Sequence, residues 1–90
     1  MRKLKPTKQF KKDVKRVQKR GKDIAKLKAV IQKLQANETL DPSYKDHPLI
    51  GNWKPARDCH IEPDWLLLYD ISNEELLTLL RTGSHSDLFK

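Results

Sequence analysis

Apolar residues recur at helical spacing in two stretches of the first third of the chain. The first stretch begins after Thr7, a candidate N-cap, and ends at Gly21, a natural helix stop; its apolar positions are Phe10, Val14 and Val17. The second follows Asp23, another candidate cap, and its apolar stripe consists of Ile24, Leu27, Val30, Ile31 and Leu34. Because so few residues separate the two stretches, we expect an antiparallel helical hairpin.

The second half of the chain changes to strand-like patterns. Residues 52–61, 65–71 and 75–82 are predicted strands, joined by the turn "IEPD" and the segment "SNE". The nearly continuous apolar run "WLLLY" indicates a central strand that the helices cover on at least one face. The preceding residues 38–54 contain two prolines and a glycine without any apolar period, which is typical of a long loop. The last stretch, "GSHSDLFK", has room for one helical turn or a short tail.

The N-terminal stretch "MRKLK" is short enough for one edge strand, which we expect to end at Pro6. Together these elements predict an α+β fold, with the N-terminal strand and the helical hairpin packed on a small, mainly antiparallel sheet. A chain of 90 residues provides one modest core, so we expect a single domain over residues 1–90.

Positive charge is concentrated in the predicted hairpin. Residues 1–33 carry fourteen Lys and Arg against two Asp, whereas residues 34–90 carry five basic and ten acidic residues. This charge density attracts polyanions, so nucleic acid, an anionic membrane and an acidic protein are the partners to weigh. The cations on the outer face of the first helix are Lys8, Lys11, Lys12, Lys15, Arg16, Lys19 and Arg20.

The sequence also indicates a cellular compartment. It lacks an apolar run long enough to span a bilayer, and its first residues lack the apolar stretch of a signal peptide. The single cysteine, Cys59, cannot form an internal disulfide. We therefore expect a cytoplasmic protein without a membrane partner.

The predicted meander brings distant polar residues to one place. The turn "IEPD" makes His60 and Trp65 neighbours and puts Asp64 beside them. Strand 65–71 runs away from this turn and strand 75–82 returns toward it, so Arg81 and His85 are expected to arrive near His60. The alternation of strand direction thus turns scattered residues into one candidate site.

Histidine and arginine suit the cleavage of RNA without a metal. The reaction needs a base for the 2′-hydroxyl, an acid for the leaving 5′-oxygen and a cation for the charged phosphate. Histidine, whose ordinary pKa is about 6.5, suits both proton transfers, and the arginine fork pairs with phosphate oxygens. Trp65 and Phe89 offer faces on which a base can stack. The third histidine, His47, lies in the long loop.

Each of these residues also has an ordinary structural interpretation when it is taken alone. A histidine in a loop or at a strand end is commonly a surface or hydrogen-bonding residue, and tryptophan and phenylalanine commonly belong to the core or its rim. A zinc site or a cysteine nucleophile built from Cys59 and His60 is disfavoured, because adjacent residues of a strand point to opposite faces. We therefore expect no metal and no other cofactor.

Three stretches carry a specific resemblance: "YKDHPLIGNWK", "RDCHIEPDWLLLYDI" and "LLRTGSHSDLF". They resemble the bacterial toxins of type II toxin-antitoxin systems in the RelE/ParE superfamily, most closely the YafQ branch, and the lysine-rich helical hairpin matches as well. The resemblance implies a microbial RNase-type fold and a ribosome-dependent messenger RNA endoribonuclease that cuts the codon in the ribosomal A site.

The resemblance also implies a catalytic set and partners. Carried over by motif, the set falls on His47, His60, Asp64, His85 and Phe89, with Trp65 and Arg81 in the same site. The roles that we infer are His85 as acid or phosphate contact, His60 oriented by Asp64 as base, with His47 as the other candidate base, and Arg81 as the cation. The implied partners are messenger RNA, the 70S ribosome and its RNA, a neutralising antitoxin, and operator DNA through that antitoxin.

Two other classes of function stay open at this point. One is a non-enzymatic nucleic-acid-binding or co-repressor subunit that uses only the basic helices. The other is a toxin of the same fold that inhibits another target, such as a topoisomerase. The histidines separate these possibilities, because a pure binder has no need for His60, Asp64 and His85 together.

Overall fold

The computed structural model describes residues 1–89 and contains three helices and one five-stranded sheet. The elements in chain order are β1 (Lys3–Pro6), α1 (Lys8–Lys19), α2 (Ile24–Gln35), β2 (His47–Pro48), β3 (Arg57–Glu62), β4 (Trp65–Asp70), β5 (Leu76–Gly83) and α3 (His85–Leu88). Two short 3-10 turns, Pro42–Tyr44 and Gly51–Trp53, lie between α2 and β3.

The sheet has the strand order β1-β5-β4-β3-β2. The pairings β2–β3, β3–β4 and β4–β5 are antiparallel, and β1 alone runs parallel to its neighbour, β5. The predicted α+β fold, with an N-terminal strand and a helical hairpin on a mainly antiparallel sheet, is therefore confirmed.

Both helix starts follow the predicted capping chemistry. The side chain of Thr7 accepts a hydrogen bond from the backbone N–H of Phe10, and that of Asp23 accepts one from Ala25. Gly21 follows α1 with a φ of +87°, a conformation that favours glycine, so the chain turns here into α2. The hairpin predicted from the apolar period is confirmed.

β1 ends at Pro6, as expected, and an edge strand tolerates this proline because the missing N–H need not face a partner. Two other features differ from the prediction. β3 begins at Arg57 instead of residue 52, since residues 51–53 form a 3-10 turn. Within the predicted loop, His47 and Pro48 form β2 against β3; two residues are too few to show a period.

β4 divides the interior into two apolar clusters. Trp65, Leu67 and Tyr69 face the helices and belong to the main core. Leu66 and Leu68 point to the opposite face, where they form a second cluster with Leu88 of α3. Since the first five side chains of β4, from Trp65 to Tyr69, are buried, the strand is covered on both sides, and α3 rests on the side away from the helical hairpin.

A buried carboxylate, Asp13, accepts hydrogen bonds from the part of β5 that lies beyond the end of β1. The Asp13 side chain, only 1% exposed, accepts hydrogen bonds from Arg81 Nε at 2.7 Å, from Arg16 Nη2 at 2.9 Å and from the backbone N–H of Thr82 at 3.2 Å. A buried charge is tolerated when it is paired and hydrogen-bonded in this way. Asp13 thereby attaches α1 to the strand that leads into α3.

Candidate active site

His85 and Asp64 form the best-defined pair of the site. One carboxylate oxygen of Asp64 accepts hydrogen bonds from the His85 backbone N–H at 2.9 Å and from its ring Nδ1 at 2.7 Å. These bonds hold the pKa of Asp64 below its usual range, with the backbone N–H as the largest cause. The turn before β4 is thereby attached to the first residue of α3, as the predicted convergence of His85 and Asp64 required.

His60 lies beside His85 without bonding to Asp64. The two imidazole rings are 5.6 Å apart, centroid to centroid, and His60 Nδ1 lies 3.3 Å from the carbonyl oxygen of Pro63. The predicted orientation of His60 by Asp64 is therefore wrong, because Asp64 orients His85. The capped first turn of α3 points the His85 backbone N–H at the Asp64 carboxylate, and Asp64 therefore pairs with His85 instead of His60.

His47 approaches the site from β2. Its Nδ1 lies 2.7 Å from the carbonyl oxygen of Lys45 and 3.0 Å from Oδ1 of Asp58, its partner across the β2–β3 ladder. The bond to the carbonyl is the one with hydrogen-bonding geometry, and Asp58 Oδ1 stays without a hydrogen bond. His47 and Asp58 are thus close in space and attract each other when the ring is protonated.

Asp58 is a buried carboxylate beneath all three histidines, and the sequence prediction missed it. Its side chain is only 4% exposed, and this burial raises its pKa. Positive charge on His47, His60 or His85 acts in the opposite direction. The alternation of side chains along a strand could have revealed it, since Asp58 lies two residues before His60 and shares its face of β3.

The three histidines use the same ring atom, Nδ1, in their contacts with the protein. Carbonyl and carboxylate oxygens accept hydrogen bonds, so the Nδ1 of each ring is the donor to its partner. The neutral rings therefore carry their lone pair on Nε2, which makes no hydrogen bond within residues 1–89. A neutral ring can take a proton there, and a protonated ring can donate one.

Aromatic side chains continue the site beyond His85. Phe89 lies 6.5 Å from the His85 ring, and Trp53 contacts Phe89 edge-to-face at 5.3 Å. Trp65, predicted as a stacking face, is only 1% exposed, and its Nε1 donates to the Thr82 hydroxyl. The stacking prediction for Trp65 is therefore wrong.

Arg81 is held at the opposite side of the site by Asp13. Its Nε and Nη2 donate to the two oxygens of that carboxylate, which raises the pKa of the guanidinium. The side chain is one-quarter exposed and lines a groove together with Trp53. The structure does not bring Arg81 into hydrogen-bond contact with the histidines among the residues it describes, so its predicted convergence with His60 extends only to the same end of the sheet.

The cations of α1 form one exposed surface, the basic face, which consists of Lys8, Lys11, Lys12, Lys15, Arg16, Lys19 and Arg20. Five of them, from Lys12 to Arg20, surround a shallow depression of about 370 Å³. Arg20 also donates to both oxygens of Asp87, at 2.6 and 3.0 Å, and lowers the pKa of that carboxyl. Arg16 bonds Asp13. The two arginines therefore already have carboxylate partners, while the lysines face outward.

Cys59 and His60 lie on opposite faces of β3, as alternation predicted. The Cys59 side chain is buried in the main core, which raises the pKa of the thiol to about 12. In the described part of the chain, no three His, Cys, Asp or Glu side chains are arranged to hold one metal ion. Within residues 1–89, none of the helices has the length and apolar character needed to cross a bilayer.

Solved structures define the class of protein to which this fold and site correspond. The toxin in the crystal structure of the Escherichia coli DinJ-YafQ complex is 47% identical and superposes with a TM-score of 0.92 over the whole of both chains. A copper-bound mutant toxin from Helicobacter pylori is 47% identical and superposes with a TM-score of 0.93, covering 99% of this chain and 100% of that one. The class is that of small bacterial toxins.

Sequence comparison gives the particular family. The family model described as "Bacterial toxin of type II toxin-antitoxin system, YafQ" matches residues 2–90, and the chain belongs to this family. The mRNA interferase toxin YafQ of E. coli K12 is 51% identical over 82 residues, which cover 90% of this chain and 88% of that protein.

The buried Asp58 makes stability depend on pH in a direction that can be tested. Because the folded-state pKa of Asp58 is raised, the protonated carboxyl stabilises the fold, and this stabilisation is lost as pH rises through that pKa. Asp58→Asn removes this loss, so the free energy of unfolding of the variant relative to the wild type should increase as pH rises above about 4, the ordinary pKa of an aspartate. Urea denaturation at a series of pH values measures the difference.

Asp41→Asn is the matched control for this prediction. The backbone N–H of Ser43 lowers the pKa of Asp41, so the wild-type carboxylate stabilises the fold above its unfolded pKa and loses this effect as pH falls. The two variants should therefore shift stability in opposite directions as pH rises. A difference that is independent of pH for Asp58→Asn would contradict the raised pKa.

Proposed function

We propose that this chain is the toxin of a type II toxin-antitoxin system and an endoribonuclease that cleaves messenger RNA in the A site of cytoplasmic ribosomes. The observation that carries the proposal is the Asp64–His85 pair with His60 beside it, because it supplies an oriented acid next to a second proton-transfer group. The name of the E. coli relative, mRNA interferase toxin, supports the substrate class.

His85 is the proposed general acid. The Asp64 carboxylate accepts a hydrogen bond from its Nδ1 and orients the ring, so that the Nε2–H of the protonated ring is available to the leaving 5′-oxygen. More than half of each side chain is exposed, so a strand of RNA can reach the ring. Proton donation from Nε2 neutralises the 5′-oxygen as its bond to phosphorus breaks.

His60 is the proposed general base. Its Nδ1 donates to the Pro63 carbonyl, so the lone pair lies on Nε2, where it can accept the 2′-hydroxyl proton. The 2′-oxygen then bonds phosphorus while the 5′-oxygen leaves, which gives a 2′,3′-cyclic phosphate and a 5′-hydroxyl end. His47 has the same free Nε2 and is the second candidate for this role. Arg81, with Nη1 not bonded to Asp13, is the proposed cation for the phosphate charge.

The basic face is the proposed contact with ribosomal RNA. Phosphates attract lysine and arginine irrespective of base sequence, so this surface would dock the protein and the decoding site would supply the codon. The E. coli relative was solved in complex with DinJ, which supports a neutralising antitoxin as the protein partner here. Operator DNA, reached through that antitoxin, is the further partner of the proposal.

Mapping messenger RNA ends after in vitro translation tests the catalytic proposal. Wild-type protein should cut within codons on translating ribosomes, and His85→Gln should cut about 10² to 10⁴ times more slowly, because a general acid contributes that much. His60→Gln and His47→Gln are compared by the pH dependence of the rate. The variant of the true base should lose the limb of the profile that rises with pH.

The same assay separates the proposal from its rivals. Intact messenger RNA in the presence of wild-type protein and translating ribosomes would contradict an endoribonuclease and leave a non-enzymatic binder. Cleavage of equal rate in wild type and His85→Gln would contradict the acid role of His85. Growth arrest of cells that express the protein, without new messenger RNA ends, would indicate a target other than RNA.

The salt dependence of ribosome binding tests the basic face. Replacing Lys12 and Lys15 by Gln should weaken binding and reduce the slope of log affinity against log salt concentration by about one unit per lost phosphate contact. The matched control replaces Lys3 and Lys5 of β1, which changes the net charge equally at exposed positions away from the basic face. Equal slopes for the two double variants would contradict a specific role for α1.

A further inference from the structure

An exposed tryptophan lies at the end of the row of rings that starts in the candidate active site. Trp53 belongs to the 3-10 turn before β3, and 38% of its surface is exposed. Its ring contacts Phe89, whose other neighbour is His85, and each step along the row is within the usual distance for interacting rings. Trp53 therefore continues the surface on which the proposed RNA substrate would lie.

A groove of about 470 Å³ begins at this tryptophan. Trp53, Pro55 and Leu80 supply apolar wall, and its volume is within the range of pockets that hold small ligands or parts of them. The groove extends from Trp53 and Leu80, which packs against the second apolar cluster, to Thr7 and Gln9 at the start of α1. It is distinct from the space around the three histidines, to which the row of rings connects it.

The polar groups of the groove suit the edge of a base and the phosphate next to it. Asn52 and Gln9 can both donate and accept hydrogen bonds, and Asp70 can accept from an amino group. Arg81 lines the same groove and carries a positive charge next to the apolar wall. This combination of a flat aromatic face, amide groups and a cation is how proteins bind unpaired nucleotides.

We propose that the Trp53 groove holds an unpaired nucleobase of the RNA, from a nucleotide that neighbours the scissile phosphate. The base stacks on the Trp53 ring, and the amide groups of Asn52 and Gln9 contact its edge. This inference rests on the proposed RNA substrate and adds a second base-binding position to Phe89. Bound there, the nucleotide would fix the register of the strand relative to His60 and His85.

The experiment uses the full chain and a short 2′-O-methyl oligoribonucleotide, which lacks the free 2′-hydroxyl and cannot be cleaved by the proposed chemistry. The chain has two tryptophans; Trp53 is exposed, whereas Trp65 is buried and reports on the core. Wild-type protein should show a saturable change in tryptophan emission on binding. Trp53→Phe should show none, while the unchanged emission of Trp65 verifies its fold.

Affinity is measured separately by the fluorescence polarisation of the labelled oligonucleotide. Trp53→Ala should raise Kd by about 5- to 150-fold, the range that follows from the loss of one base–aromatic stack. Ile50→Ala is the matched control, because Ile50 is an exposed apolar residue of the same segment outside the groove, and its Kd should equal that of the wild type.

Several results would overturn the inference. In the polarisation assay, the contradicting result is a Kd for Trp53→Ala equal to that of Ile50→Ala. In the emission assay, it is a change that persists in Trp53→Phe, or no change in the wild type. A wild-type response to an antitoxin peptide but not to RNA would also contradict it. Failure of wild-type protein to cleave messenger RNA, with the emission change intact, would instead contradict the proposed function and leave the groove assignment standing.

Discussion

Burial of β4 on both of its faces is the constraint on which the rest of the structure depends. Its side chains from Trp65 to Tyr69 have almost no exposed surface, so both sides of the strand need an apolar cover. The helical hairpin covers one side, and α3 together with the segment before β3 covers the other. Leu88 is the residue through which α3 rests on Leu66 and Leu68. The position of His85 therefore follows from the packing of an apolar neighbour three residues away.

Two carboxylates connect the side that carries the candidate active site to the basic helix. Asp13 joins α1 to β5 through Arg81 and Thr82, and Asp87 joins the other end of α1 to α3 through Arg20. Asp87 also accepts the Ser84 backbone N–H, which completes the capping box that starts α3. The basic face and His85 are consequently parts of one packed unit, so a surface that bound the basic face would also be fixed relative to the proposed acid.

Much of this arrangement could be predicted from the sequence. The helical period gave both helices, the caps gave their starts, and alternating strand direction brought His85 back to Asp64. These features are local or follow from topology alone. Membership of the toxin family, indicated by the motifs around His60 and His85, is confirmed by the family match.

Other features depend on register, and the sequence did not reveal them. A bulge between His60 and Glu62 sets Leu66, and not Trp65, opposite His60, so Trp65 turns into the core. The choice of His85 over His60 as the partner of Asp64 depends on where α3 begins. The sequence does not place Trp53 beside the candidate site, because its ring meets Phe89 through a contact between distant parts of the chain.

The central claim is that all three histidines bind the protein through Nδ1 and offer Nε2 to the substrate. Nitrogen-15 chemical shifts of the imidazole rings, recorded at a pH where the rings are neutral, test it most directly. We expect the Nδ1–H tautomer for His47, His60 and His85, because each Nδ1 donates to an oxygen of the chain. A predominant Nε2–H tautomer at His85 would contradict its orientation by Asp64 and, with it, the proposed acid.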